Sequence, residues 1–102
     1  MSEKRDSGAM RRVSGWAEME RVGDYYFGLD NHGQRRLNVL LPGHAPFGPA
    51  DEEAAFADLP IGPGPLAPWS FDGNEDAPTL APSVNVVGHW HGFIRAGRYE
   101  SC

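Results

Sequence analysis

Residues 86–102 read VVGHWHGFIRAGRYESC, and two histidines in this stretch flank one tryptophan. In a strand, residues i and i+2 face the same way. His89 and His91 then point to one side and Trp90 to the other. Imidazole nitrogen and thiolate sulfur are donors that zinc prefers, and Cys102 is the chain's single cysteine. A turn at Ala96-Gly97 folds residues 98–102 back beside 90–95, which brings Cys102 toward His89. His32, in the Asp-Asn-His-Gly turn at 30–33, and His44, after Pro42, are candidates for a fourth ligand. The competing reading is a hairpin whose histidines are ordinary half-exposed side chains. Structural zinc sites are commonly spaced as CxxC pairs, and this chain has none.

Other constellations are weaker. Asp72-Gly-Asn74-Glu-Asp76 places oxygen ligands at alternate positions, like the first half of a calcium loop. The sixth position is Ala77 rather than glycine and the twelfth is Ser83 rather than glutamate. A polar turn whose Asx side chains cap backbone N–H groups fits better. For nucleophilic catalysis, Cys102 can be drawn with a histidine. A residue at the very end of a chain is hard to hold to the fractions of an ångström that catalysis needs. Ser83 and Ser101, the serines nearest the histidines, sit in no recognisable elbow. No catalytic residue is assigned.

The elements that would position these residues read as strands. The 102 residues suffice for one domain. The 13 glycines and 9 prolines exceed a fifth of the chain and argue against a helical bundle. Residues 1–11 are polar, of mixed charge and without apolar periodicity, and read as a disordered tail. Residues 12–102 read as a single small β domain. Within it, 13–22 and 24–29 read as a hairpin turning at Gly23-Asp24. RRLNVLL at 35–41 is the next strand, with Leu37, Val39 and Leu41 on one face. Residues 42–68 form a Pro/Gly-rich connection. Within it, about 50–59 suits a short helix, with Pro49 just before it and Asp51 and Glu52 in its first turn. TLAPSVNVV is extended, and GFIRAGRYES is a hairpin. The fold class is therefore all-β, with antiparallel hairpins forming a compact sheet or half-barrel. The aromatics, Trp16, Trp69 and Trp90 among them, fall in or beside these strands and should mostly be core.

A single cysteine excludes an intrachain disulfide. The charged N-terminus has no apolar segment behind it, and no apolar run reaches membrane-spanning length. A cytoplasmic location is the simplest expectation. The net charge of −5 disfavours binding to nucleic acid.

From Trp69 onward the chain reads WSFDGNEDAPTLAPSV and then, at 89–98, HWHGFIRAGR. This resembles a family of small phage and bacterial proteins of unknown function, often labelled ammonia monooxygenase. Its members tend to read Trp-x-Phe/Trp-x-Gly-x-x-Asp-x-Pro-Thr-x-x-Pro-Ser-Val/Ile, and later His-x-Phe-Ile/Val-x-x-Gly. Trp69, Asp76, Pro78, Thr79, Pro82, Ser83, His91, Phe93, Ile94 and Gly97 stand at the family's positions. Relatives often carry cysteine pairs that suggest a zinc-ribbon-like site. Here FGLDNHG has no cysteine and the stretch before His91 offers only His89. The zinc site that the resemblance implies is therefore reduced to His89, His91 and Cys102, with His32. The resemblance supplies no catalytic residue. The oxygenase label does not fit, because two histidines without a legible carboxylate are no facial triad.

The expectation is a non-enzymatic, phage-type accessory protein that binds another protein and has a zinc-stabilised C-terminal hairpin. If phage-encoded, it acts in the host cytoplasm. Two alternatives stand beside it. One is an inhibitor of a host defence complex that uses acids of the 42–68 arm, Asp51, Glu52, Glu53 and Asp58. The other is a zinc-dependent hydrolase with His89, His91 and either His32 or Asp76 on the metal, and Glu75 or Asp76 as base.

Overall fold

A computed structural model describes residues 7–47, 52–64 and 67–102. It is an all-β protein built on two four-stranded sheets, and these do not close into a barrel. The first sheet joins β1 (Ser7–Ala9), β10 (Arg98–Ser101), β9 (Trp90–Arg95) and β8 (Val84–Val86), in that order. The second joins β2 (Arg11–Arg12), β3 (Asp24–Leu29), β4 (Arg35–Phe47) and β5 (Glu52–Pro60). A small ribbon pairs β6 (Ser70–Phe71) with β7 (Leu80–Ala81).

The core lies between the two large sheets. Val84, Trp90, Ile94 and Tyr99 from the first pack with Tyr25, Leu37, Val39, Leu41, Ala57 and Leu59 from the second. Period-two alternation produces this: β9 runs buried, exposed, buried, half-buried, buried, exposed from Trp90 to Arg95. Gly92 sits where a methyl group would collide with the Trp90 ring and the Glu100 carbonyl. The missing side chain is what lets the indole lie flat over the strand. Ala96 and Gly97 both take positive φ, 49° and 76°, and make the tight turn into β10.

β4 is buried on both sides. Leu37, Val39 and Leu41 face the main core, as their spacing predicts. Leu40, on the opposite side, packs with Met19 and Ala54. That second cluster explains one departure from the sequence reading. Residues 13–22 are not a strand hairpinned to 24–29. They form a cover over the back of the second sheet, with one 3-10 turn at Trp16–Glu18. β3 pairs instead with β4, and in parallel with β2. Trp16 lies 54% exposed and meets Phe56 edge-to-face, so it is not core.

The acidic segment expected as a short helix at about 50–59 is strand β5 from Glu52 onward. Its register matches Leu59 to Leu37 and Ala55 to Leu41. Alternation along Ala55-Phe56-Ala57-Asp58-Leu59 gives an apolar face for β4 to cover, and this outweighs alanine's helix preference. Much of the expected 42–68 connection is thus regular structure. Asp51 lies outside the described residues, as do residues 1–6 of the expected tail. Residues 7–9 of that tail are β1, and its last residue, Arg11, opens β2.

Asp24 organises the cover. Its carboxylate is fully buried. It accepts hydrogen bonds from Arg11 Nε at 2.9 Å and Nη2 at 2.7 Å, and from the Glu20 and Arg21 amides at 2.9 and 3.1 Å. Burial pushes the carboxyl up. The Arg11 hydrogen bond and charge, with the two amides, outweigh burial and hold it below its usual value. This stabilisation is complete above the ordinary carboxylate range. It is lost as pH falls through the depressed folded-state value. Asp24→Ala should cost about 3 kcal/mol at neutral pH. That is the low end for breaking a buried pair, because Arg11 can still reach water. Urea unfolding at pH 7 and pH 3 checks this: the wild type should lose stability in acid, and Asp24→Asn should flatten that dependence.

Candidate functional site

Ser83 leads into β8, just after the Ala81–Pro82 peptide, which is cis. Its segment is anchored from both sheets. On one side, the Ala96 amide donates to Thr79 Oγ1 at 2.8 Å and the Gly97 amide to the Pro78 carbonyl at 3.0 Å. On the other, Glu75 is clasped by Arg35 and by Arg12 at 2.8 Å, and Arg12 also reaches Asp76 at 3.1 Å. The Tyr25 hydroxyl donates to the Glu75 carbonyl at 2.7 Å. The Arg35 guanidinium lies over the Phe27 and Phe71 rings. The arginine contacts hold the Glu75 carboxyl below its usual range, the Arg35 hydrogen bond most of all. Within the loop, Asp72 caps the Asn74 and Thr79 amides and Asn74 caps the Asp76 and Ala77 amides. These are the Asx turns that the sequence suggests. Finally, the Trp69 indole N–H donates to the Ser83 carbonyl at 3.3 Å.

His91 stands on β9, exposed on the face away from the core. Asn85 is its register partner across β8, so Ser83, two residues before Asn85, is diagonal to the imidazole. Ser83 Oγ and His91 Nε2 are 3.0 Å apart, within hydrogen-bond distance. A serine hydroxyl against the far nitrogen of an imidazole is the arrangement in which the ring can take the hydroxyl proton as oxygen attacks. When Nε2 accepts that proton, Nδ1 carries the ring's own. Beside the pair, Phe93 is half-buried under the Arg95 guanidinium, 3.9 Å from the ring centroid.

Among the described residues the expected zinc ligands do not come together as one set. His89 lies in the turn at 87–89, where its amide donates to the Val86 carbonyl at 2.8 Å. Strand alternation therefore does not place it with His91. Cys102 is exposed, and its amide donates to the His91 carbonyl at 3.1 Å. His32 is in the exposed turn between β3 and β4 of the other sheet, its amide held by Asp30 at 2.8 Å. The side chain of His44 lies outside the described residues. Among the described residues no three His, Cys, Asp or Glu side chains gather as a metal site. Glu75 and Asp76, considered as a hydrolase base, are engaged by arginines.

Sequence reasoning passed over Ser83. The available signal was a turn centred on Gly88, which has φ 84°. Reading 80–95 as one hairpin around it, instead of two separate segments, brings Ser83 to His91.

No curated protein and no solved structure matches the chain. A family model described as bacterial ubiquitination-like system serine protease (BubE) matches residues 52–102. That stretch is half of the chain and contains both Ser83 and His91. The match overturns the expectation of a non-enzymatic accessory protein, and it lends no support to the inhibitor or zinc-hydrolase alternatives. With a serine hydroxyl already set against an imidazole, and the model spanning both, the chain belongs to the family of bacterial ubiquitination-like system serine proteases, BubE.

Proposed function

We propose that the chain is a serine peptidase in which Ser83 is the nucleophile and His91 the general base. The observation that carries this is the 3.0 Å Oγ–Nε2 approach, within the stretch that matches a serine protease family. Ser83 Oγ attacks the scissile carbonyl as Nε2 takes its proton. His91 then returns that proton to the departing amine, which leaves an acyl ester on Ser83. Water, activated by the same imidazole, hydrolyses the ester. The family description places its members in a bacterial ubiquitination-like system. The substrate proposed here is a protein component of such a system.

A fluorophosphonate tests the nucleophile without knowledge of the substrate. Ser83 Oγ bonds to phosphorus, fluoride leaves, and His91 takes the proton. Wild-type protein should gain one adduct by intact mass, mapped to the Ser83 peptide. Ser83→Ala should gain none, and His91→Ala should label about 10²–10⁴-fold more slowly. Equal labelling of Ser83→Ala, or an adduct on another serine, would overturn the assignment.

Trp69→Phe keeps a ring but removes the donor to the Ser83 carbonyl. It should cost about 1 kcal/mol in urea unfolding. It should also slow labelling of Ser83, because the carbonyl it frees belongs to the nucleophile itself.

A further inference from the structure

β8 is the last strand of its sheet, and the direction of its backbone groups follows from the bonds beyond it. The Cys102 amide donates to the His91 carbonyl, so the His91 peptide groups face β10. In a strand these groups alternate sides. Trp90 and Gly92 therefore face β8, where their register partners are Val86 and Val84. Asn85, between those two, must turn its N–H and C=O away from β9. Among the described residues, nothing bonds to them. β6 pairs only with β7, as far as Ser70 opposite Ala81, and leaves the outer side of Val84–Val86 open. The edge is short, three residues, but Val84-Asn85-Val86 contains neither the charge nor the proline that would block a pairing strand.

The open donor and acceptor stand two residues from the nucleophile, about 7 Å along the strand. That is the spacing at which an extended peptide presents its own main chain while its scissile carbonyl lies at Ser83. We propose that the outer edge of β8 is the substrate-binding strand: an extended, unfolded stretch of the substrate pairs with Asn85 N–H and C=O. This rests on Ser83 being the nucleophile. It selects for exposed tails or linkers, because a segment already paired in a sheet has no free main chain to offer.

The test exploits a backbone asymmetry. Proline is tolerated on an edge strand when its missing N–H faces outward. Asn85→Pro deletes the outward donor and leaves the ladder to β9 intact. The probes are two diphenyl phosphonates, in which Ser83 Oγ displaces phenoxide from phosphorus. One carries a single acylated alanine. The other is a tripeptidyl mixture ending in alanine and randomised at its two outer positions. Wild-type protein should react at least about tenfold faster with the tripeptidyl probe, a gain of the size expected from one or two main-chain hydrogen bonds. Asn85→Pro should lose that advantage while its single-residue rate stays within about twofold of wild type, a change too small to reflect a lost hydrogen bond. Asn85→Ala should keep the advantage, since the side chain is not the contact. N-methylation of the outer amides of the tripeptidyl probe should remove it on the wild-type protein, a check independent of how the proline variant folds. No tripeptide advantage in the wild type, or one that survives both Asn85→Pro and N-methylation, overturns the proposal. If even the fluorophosphonate leaves Ser83 unmodified, the nucleophile assignment fails first.

Discussion

Burial of Val84, Trp90 and Ile94 against the second sheet decides where every functional side chain points. A strand has two faces, and a slip of one residue exchanges them. With those three side chains in the core, Ser83, Asn85 and His91 can only lie on the outside. Gly92 reinforces the choice, because any larger residue there would meet the Trp90 ring and the Glu100 carbonyl. The hydroxyl–imidazole approach is thus a by-product of hydrophobic packing on the opposite side of the same strands.

Packing sets the faces, but polar contacts set the position of the segment that carries Ser83. Two arginines of the second sheet hold Glu75, while Thr79 and Pro78 accept from the β9–β10 turn. The loop before the nucleophile is therefore fastened to both sheets by partly exposed bonds. Asp24 is the contrasting case. It is a fully buried charge in which four donors outweigh desolvation, and it fixes the cover over the far side of β4.

Much of the architecture was legible in the residues. The alternation of Leu37, Val39 and Leu41 marked β4, and Ala96-Gly97 marked the last hairpin. Two departures share one physical origin: a local preference yields to a tertiary partner. The acidic, alanine-rich 52–60 run suits a helix alone but a strand beside β4. Residues 13–22 suit a strand alone but a cover once Asp24 gathers their amides. The site was half legible. Ser83 and His91 both stand in the motif that supports the family resemblance, yet the histidines were grouped by sequence proximity. The productive pairing runs diagonally across a turn at Gly88, and the His89–His91 spacing says nothing about it.

The family match begins at β5 and so reaches into the second sheet only by its edge strand. β3 and β4 lie outside the match, yet Tyr25, Leu37, Val39 and Leu41 supply much of the apolar floor on which the chemistry rests. Their interior task is generic, since any alternating strand of similar volume fills such a floor. The interior positions of β3 and β4 can therefore exchange one apolar side chain for another, whereas Arg12 and Arg35, on the same strands' sheet, are tied by charge to Glu75 and cannot be exchanged so freely.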